Sequence, residues 1–180
     1  MKNRLPTNVS LRKATQNDAE GIARVHIPSW KETYRGIVPD SYLDAMNLEE
    51  RILRWQNGTL SSPEKNNESP TFVALDGTKI VGFATCGPNR KPELPYDGEL
   101  WAIYLLKQYQ GTGLGHALFT LCTENFKLRG FKSMYAWVLH ENPTLQWYLK
   151  NGGTIGAHTE QIPLGDKQFD EVSVEWKSLL

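Results

Sequence analysis

The sequence predicts an α+β fold built on a mixed sheet, and three stretches of chain predict it. Residues 71–88 (TFVAL, a turn at Asp76-Gly77, then KIVGFATCG) alternate with period two and are rich in β-branched residues, which reads as an antiparallel hairpin. Residues 99–128 run as a strand, a glycine-rich turn and a helix with Leu114, Leu118, Leu121, Cys122 and Phe126 at helical spacing. Beyond Arg129-Gly130 come a strand (SMYAWVL), a short helix over 142–151 and two more strands (TIGAHTE and FDEVSVEW). Strands gathered in the middle and at the end, with helices between some of them, make a mixed sheet.

The opening follows the same logic. VSLRK (9–13) alternates as a strand, and Thr15 with Asp18 forms a capping pair ahead of a helix carrying Ile22, Val25 and His26. Pro28 is expected to interrupt that helix, leaving SWKETYRGIVPDSYLD as short helical turns on the surface rather than core, with Trp30, Tyr34 and Tyr42 between breakers at Gly36 and Pro39. Asn47 caps a helix running to about Gln56 through Leu48, Ile52, Leu53 and Trp55, and the polar run NGTLSSPEKNNESP reads as a loop with freedom to move. No internal repeat is visible.

Length and charge narrow the function. A chain of 180 residues suits one domain, 1–180, with a real core. Twenty Lys and Arg balance twenty Asp and Glu, so no basic excess favours nucleic acid. The longest apolar run, around Leu100 to Leu106, falls far short of the roughly 20 residues that cross a bilayer, and the N-terminus lacks a signal-peptide apolar region. A cytoplasmic protein is expected, with neither nucleic acid nor membrane as partner and a homodimer left open. Cys86 and Cys122 lie in apolar stretches and read as small buried hydrophobes. His26, His116, His140 and His158 show no metal-ligand spacing, so no metal is expected.

The chemistry concentrates in residues 108–115, QYQGTGLG, between a strand and a helix. Glycines let the backbone turn tightly and approach a ligand closely, and the amides of a helix start point at it with the positive end of the dipole behind them. A plain structural turn is the alternative at this level. A P-loop is excluded, because His116 and Ala117 stand where Lys and Ser/Thr are needed. A dinucleotide-binding turn belongs near the start of a βαβ unit, whereas this one follows an antiparallel hairpin. What remains is a ligand bearing pyrophosphate, held by backbone amides without a metal.

At these residues the sequence resembles the GNAT superfamily of acyl-CoA-dependent N-acyltransferases, whose signature is Gln/Arg-x-x-Gly-x-Gly/Ala between the fourth strand and the next helix. Two registers fit: Gln108, Gly111, Gly113 and Gln110, Gly113, Gly115. LRKATQNDAEGIARVH resembles the family's first strand and helix, ELWAIYLLKQYQGTGLG its fourth strand and signature, and VLHENPTLQWYLKNGG its last motif.

The resemblance implies a mixed, mostly antiparallel sheet flanked by helices, with the fourth and fifth strands splayed around the pantetheine arm of acetyl-CoA. On it, the backbone of Ile103, Tyr104 and Leu105 binds that arm, and Gln110, Gly111, Thr112, Gly113, Leu114, Gly115 and His116 hold the pyrophosphate. The amide at Leu105 would polarise the thioester, and Tyr148 would protonate the leaving thiolate. Asn142 lies six residues before Tyr148 where the family commonly has seven, and Gly153 replaces a common Phe.

An amine acceptor is mostly protonated at neutral pH, so a base is useful. Glu99, read by simple alternation as sharing a face with Trp101, Ile103 and Leu105, fits that role or that of a solvated strand-end carboxylate; Asp97 is a second candidate. Trp30 and Tyr34 are candidate walls of the acceptor pocket or simply packing aromatics, with Glu32, Asp40 and Asp44 near to attract a cation. The expected activity is acetyl transfer from acetyl-CoA to a primary amine of a small molecule or peptide, by direct attack in a ternary complex. A CoA-binding sensor or interaction module without turnover is the alternative.

Overall fold

Seven strands form one sheet in the order β1-β2-β3-β4-β5-β7-β6 in a computed structural model that describes residues 8–179. The reading of the extreme N-terminus rests partly on residues 1–7 and lies outside the described ones. β1 (Val9–Lys13), β2 (Thr71–Asp76), β3 (Lys79–Pro88) and β4 (Gly98–Leu105) pair antiparallel in succession. β5 (Met134–Leu139) joins β4 in parallel, and the hairpin of β6 (Thr154–Leu164) and β7 (Lys167–Trp176) closes the sheet through β7 against β5. The fold is therefore a mixed α+β sheet, mostly antiparallel, as expected.

Helices cover both faces. α5 (Leu114–Leu128) buries Leu114, Leu118, Phe119, Cys122 and Phe126 against Val81, Ala84, Cys86 and Leu100 on one face. Both cysteines are buried and free, as small hydrophobes. On the other face α1 (Ala19–Tyr34) sets Ile22 and Val25 against Val73 and Phe83. The capping pair is present: Asp18 accepts hydrogen bonds from the Thr15 amide at 2.7 Å and hydroxyl at 3.0 Å, and its carboxylate also pairs with Arg12 at 2.7 Å.

Three expectations are corrected. Pro28 does not end α1, which runs on to Tyr34. The lost amide costs one helical hydrogen bond, but burial of the helix face on both sides of the proline outweighs it. Consequently the following stretch is core and not surface: Tyr34, Val38 and Leu43 of α2 (Asp40–Asp44) are 5%, 2% and 0% exposed, packed with Leu139 and Leu164. Past α3 (Leu48–Asn57), capped as expected by the Asn47 side chain, the polar run contains α4 (Pro63–Glu68). Ser62 caps α4, and buried Asn66 ties it down by donating to the Ala14 carbonyl at 2.7 Å and accepting from the Thr71 amide at 3.1 Å.

The third correction fixes the site. Cys86 pairs with Leu100 but Thr85 pairs with Ala102, so Trp101 is an extra residue in β4, a β-bulge. Alternation changes phase there. Glu99 therefore shares the α1 face with Ala102 and Tyr104, while Ile103 and Leu105 pack on the α5 face. The expectation that Glu99 shares a face with Ile103 and Leu105 fails for this reason.

Candidate active site

Beyond the bulge β4 leaves β5. The two strands pair only at Gly98 with Met134 and Glu99 with Tyr135, and the gap between them opens toward the end of β4. Leu106 donates its amide to the Val81 carbonyl at 3.0 Å, so by strand alternation Ile103 and Leu105 direct their amides and carbonyls away from β3, into that gap. The Leu105 carbonyl accepts from the Ser29 hydroxyl at 3.1 Å and the Gln110 side chain at 3.3 Å.

A cavity of about 600 Å³ runs through the gap. Gln110, Gly111, Gly113, Gly115 and His116 line one end, and Arg90, Glu99, Trp101, Trp137, Ile162 and Glu171 belong to its remaining wall, with Ser29, Trp30, Tyr34, Ile103, Tyr104, Leu105 and Tyr148. Of the donor-binding, catalytic and aromatic acceptor residues expected from the sequence, all border one cavity except Thr112, Leu114 and the second base candidate Asp97. The Thr112 hydroxyl donates to the Tyr109 carbonyl at 2.7 Å, and the Leu114 side chain is fully buried in the α5 core.

The glycine end has the features an anion needs. Gly111 and Gly113 sit at φ +74° and +89°, a left-handed region costly for any residue with a Cβ. A Cβ on Gly111 would stand in open space, where a ligand would come. Gly113 caps α5 without a side-chain partner, and Ala117 is the residue whose amide reaches back to the Gly113 carbonyl, at 3.0 Å. The first-turn amides ahead of it are thus presented outward with the helix dipole behind them. Gly115 is glycine for close packing instead, since a Cβ there would meet Leu105 Cδ1 at 3.1 Å and Trp147 at 3.4 Å. Gln110 borders the cavity and Gln108 does not, so the register Gln110, Gly113, Gly115 is the one that faces it. A pyrophosphate carried on a long thin arm fits this arrangement.

The middle of the cavity is phenolic. Burial pushes the Tyr148 hydroxyl well above its ordinary value and Tyr104 up to about 12, and Tyr34 rises as well, so all three are neutral proton donors at physiological pH. Buried Asn142 donates to the Tyr34 hydroxyl at 3.0 Å and accepts from the Thr144 amide and hydroxyl. Its one-residue displacement from the common family spacing thus leaves it beside Tyr34. Trp30 packs on Tyr34 with ring centroids 4.8 Å apart. Behind them His26 stacks on Tyr104 at 5.1 Å, its imidazole pushed down to about 3 by burial and by the Arg51 charge.

At the far end Glu99 is 1% exposed and fully engaged. It accepts from Arg90 Nε at 3.0 Å, from Arg90 Nη2, from the Arg90 amide at 3.3 Å and from the Tyr135 hydroxyl at 3.0 Å. The Arg90 guanidinium in turn lies 4.5 Å from the Trp101 ring centroid. Asp97 accepts from the amides of Lys132 and Ser133 and is no part of the cavity. Glu32, Asp40 and Asp44 are also outside its walls, Asp40 and Asp44 pairing with Arg35.

Glu171, Trp101, Trp137 and Arg90 were missed in the sequence. For Glu171 the signal is present: in FDEVSVEW the residues Glu171, Ser173 and Glu175 alternate with core-facing Val172, Val174 and Trp176, which puts three polar groups on one face of β7.

Residues 27–152 match the Acetyltransferase (GNAT) family. The chain belongs to that family. It is 39% identical to the uncharacterized N-acetyltransferase YuaI of Bacillus subtilis over 172 residues, 95% of this chain and 94% of that one. It is 23% identical over 146 residues to a spermidine N(1)-acetyltransferase of Thermoplasma acidophilum, covering 81% of this chain and 88% of the relative. Among solved structures, the PaiA N-acetyltransferase of Thermoplasma acidophilum in complex with coenzyme A shares the fold with a TM-score of 0.72 at 21% identity, covering 91% and 97% of the two chains. This GNAT protein is an acyltransferase, an acetyltransferase by family. Among the described residues no group of three His, Cys, Asp or Glu could hold a metal, and no helix is long and apolar enough to cross a membrane.

Proposed function

We propose that this GNAT protein acetylates a primary amine of a small molecule or peptide by direct attack on acetyl-CoA in a ternary complex. One observation carries the reading: a single cavity joins a glycine-built anion cradle at one end to carboxylate and indole groups at the other, through the gap between β4 and β5. The donor and acceptor can meet there without a covalent enzyme intermediate, and neither buried cysteine lies on the cavity.

In this mechanism the outward amides of the first turn of α5, with Gly111 and Gly113, hold the pyrophosphate. Ile103 and Leu105 hold the pantetheine arm through the strand edge, as an added strand would be held; the backbone of Tyr104, expected from the sequence to join them, faces β3 instead, and Tyr104 contributes its ring to the cavity wall. The Leu105 amide polarises the thioester carbonyl and stabilises the oxyanion that forms there. Tyr148, neutral because burial disfavours its phenolate, gives its proton to the departing thiolate. Trp30 and Tyr34 wall the acceptor side of the reacting centre. The spermidine enzyme among the relatives places polyamines among the acceptors to test, alongside monoamines and peptides.

Thiol release from acetyl-CoA, followed with 2-phenylethylamine, spermidine and a tripeptide with a free N-terminus, tests this. Amine-dependent release is expected with at least one class, and Tyr148→Phe should lower kcat by about 10- to 100-fold with acetyl-CoA affinity within twofold. Acetyl-CoA binding without release in the presence of any amine would instead describe a sensor.

A further inference from the structure

If the chain acetylates a primary amine as proposed above, that amine reaches the cavity as an ammonium, since at a pKa near 10 only about one molecule in a thousand is free at pH 7. Among the described residues two carboxylates line the cavity, Glu99 and Glu171. Glu99 has its oxygens committed to Arg90 and Tyr135, and its charge is balanced by the guanidinium. Glu171 is different: among the described residues its carboxylate has neither a hydrogen-bond partner nor a salt bridge, and it lines the cavity from β7, next to the edge strand of the sheet.

Register fixes where it stands. Glu171 of β7 lies opposite Leu139 of β5 and opposite Glu160 of β6, and Trp137 is two pairs further along β5, opposite Ser173. Every charged group near it is already matched or neutral. Arg90 is held by Glu99 and packs over Trp101, Lys91 is held by Glu160 at 2.8 Å, and Tyr34, Tyr104 and Tyr135 are neutral phenols. The indole nitrogens of Trp101 and Trp137 are buried without a partner, and both side chains border the same cavity. The region therefore offers aromatic walls and one unmatched carboxylate, a combination that attracts a single cation.

We propose that Glu171 is the base that takes a proton from the acceptor ammonium, in the part of the cavity walled by Trp101 and Trp137. The proton passes from R–NH3+ to the carboxylate, directly or through one water, leaving R–NH2. Its lone pair forms the N–C bond to the thioester carbon while the carbonyl π pair moves to oxygen. Collapse breaks the C–S bond, and the thiolate takes its proton from Tyr148. The tetrahedral nitrogen sheds its remaining extra proton, which restores Tyr148, and Glu171 returns its own to water. The net change is R–NH3+ plus acetyl-CoA to R–NH–acetyl, CoA–SH and one H+.

The surroundings suit such a base. Burial, then the charges of Glu160 and Glu99, raise the Glu171 carboxyl to about 7, with Arg90 and Lys91 opposing. A carboxyl titrating there accepts a proton far more readily than an ordinary glutamate and is still substantially ionised at neutral pH. Glu99, Glu160, Arg90, Lys91, Tyr34 and Tyr104 are, among the described residues, the titratable groups that face it from β4, β6, the β3–β4 connection and α1.

The test is kcat against pH at saturating amine, with whichever of 2-phenylethylamine, spermidine and the free tripeptide is acetylated, for the native chain and Glu171→Gln. Acetyl-CoA affinity by calorimetry and a thermal melt run in parallel. The native profile should bend near pH 7. Glu171→Gln should lose about 100-fold or more in kcat at pH 7, lose the bend and climb tenfold per pH unit toward pH 9, while acetyl-CoA affinity stays within twofold. Glu171→Asp, which keeps the charge and shortens its reach, should retain the bend at a lower rate, and it serves if the Gln variant does not fold. A Glu171→Gln enzyme within threefold of native kcat and bending at the same pH overturns the assignment and leaves amine acetylation standing. Parallel loss of acetyl-CoA affinity also overturns it, in favour of a structural role. A native chain that binds acetyl-CoA and acetylates none of the three amines overturns the amine reading and this base with it.

Discussion

Removing the Arg90 guanidinium tests whether Glu99 is part of the scaffold. Arg90→Ala takes away two charge-assisted hydrogen bonds to a carboxylate that is 1% exposed, leaving the Tyr135 hydroxyl and the residue-90 amide as donors. Breaking a buried ion pair by truncating one partner costs about 3–5 kcal/mol. The Arg90 side chain is itself 56% exposed, so water fills part of the gap and the remaining donors keep half of the coordination; about 2–3 kcal/mol is the expected loss. For a chain of 180 residues that is a fall of about 5–10 °C in Tm. In a Glu99→Gln background the same truncation no longer strands a charge and should cost under about 1 kcal/mol, a coupling of at least about 1 kcal/mol between the two sites. Urea unfolding of the four proteins measures it. Equal costs in both backgrounds would refute the view that Arg90 acts on the fold through Glu99.

Two more predictions address the ends of the cavity. Gly113→Val places a Cβ at φ +89°, so acetyl-CoA affinity by calorimetry should fall by about 100-fold or more, while local strain costs only about 1–2 kcal/mol and the chain still folds; unchanged affinity would remove the cradle. On the acceptor side, Tyr34 is 5% exposed, so Tyr34→Ala should cost about 3–5 kcal/mol, whereas Trp30→Ala, at a half-buried position, should cost less and act on acceptor KM with acetyl-CoA affinity unchanged. A large Tm loss for Trp30→Ala with unchanged kinetics would make Trp30 a packing residue alone.

Local signals decided which parts of this molecule could be read in advance. The hairpin of β2 and β3, the glycine turn into α5, the Thr15–Asp18 pair and the Asn47 cap all write their geometry into a few adjacent residues, and each was legible. Helix α1 reads as cut short because the proline rule is local, while the burial that carries the helix past Pro28 comes from strands far away in sequence. Helix α4 was a missed signal and not an absent one: Ser62 followed by Pro63 and Glu64 is a regular helix start. The cavity's cradle could be found from its glycines, but its far wall is assembled from β4, β5, β6 and β7 and a loop, and no window of sequence holds those side chains together.

One extra residue in β4 connects the fold to the chemistry. Without the bulge at Trp101, Glu99 would lie on the α5 face among Leu118, Cys122 and Phe126, a place where a carboxylate would have neither Arg90 nor Tyr135. The phase change delivers Glu99 and Tyr104 to the α1 face and Leu105 to the other, so that, on the function proposed above, the strand would supply the scaffold and phenol of the acceptor side and the edge for the donor arm within seven residues. It occurs where β4 and β5 cease to pair, which is the point at which the gap begins. In the proposed mechanism the bulge thereby links two requirements of a ternary complex: a passage through the sheet for the donor, and polar groups facing the acceptor on the opposite face from the α5 core.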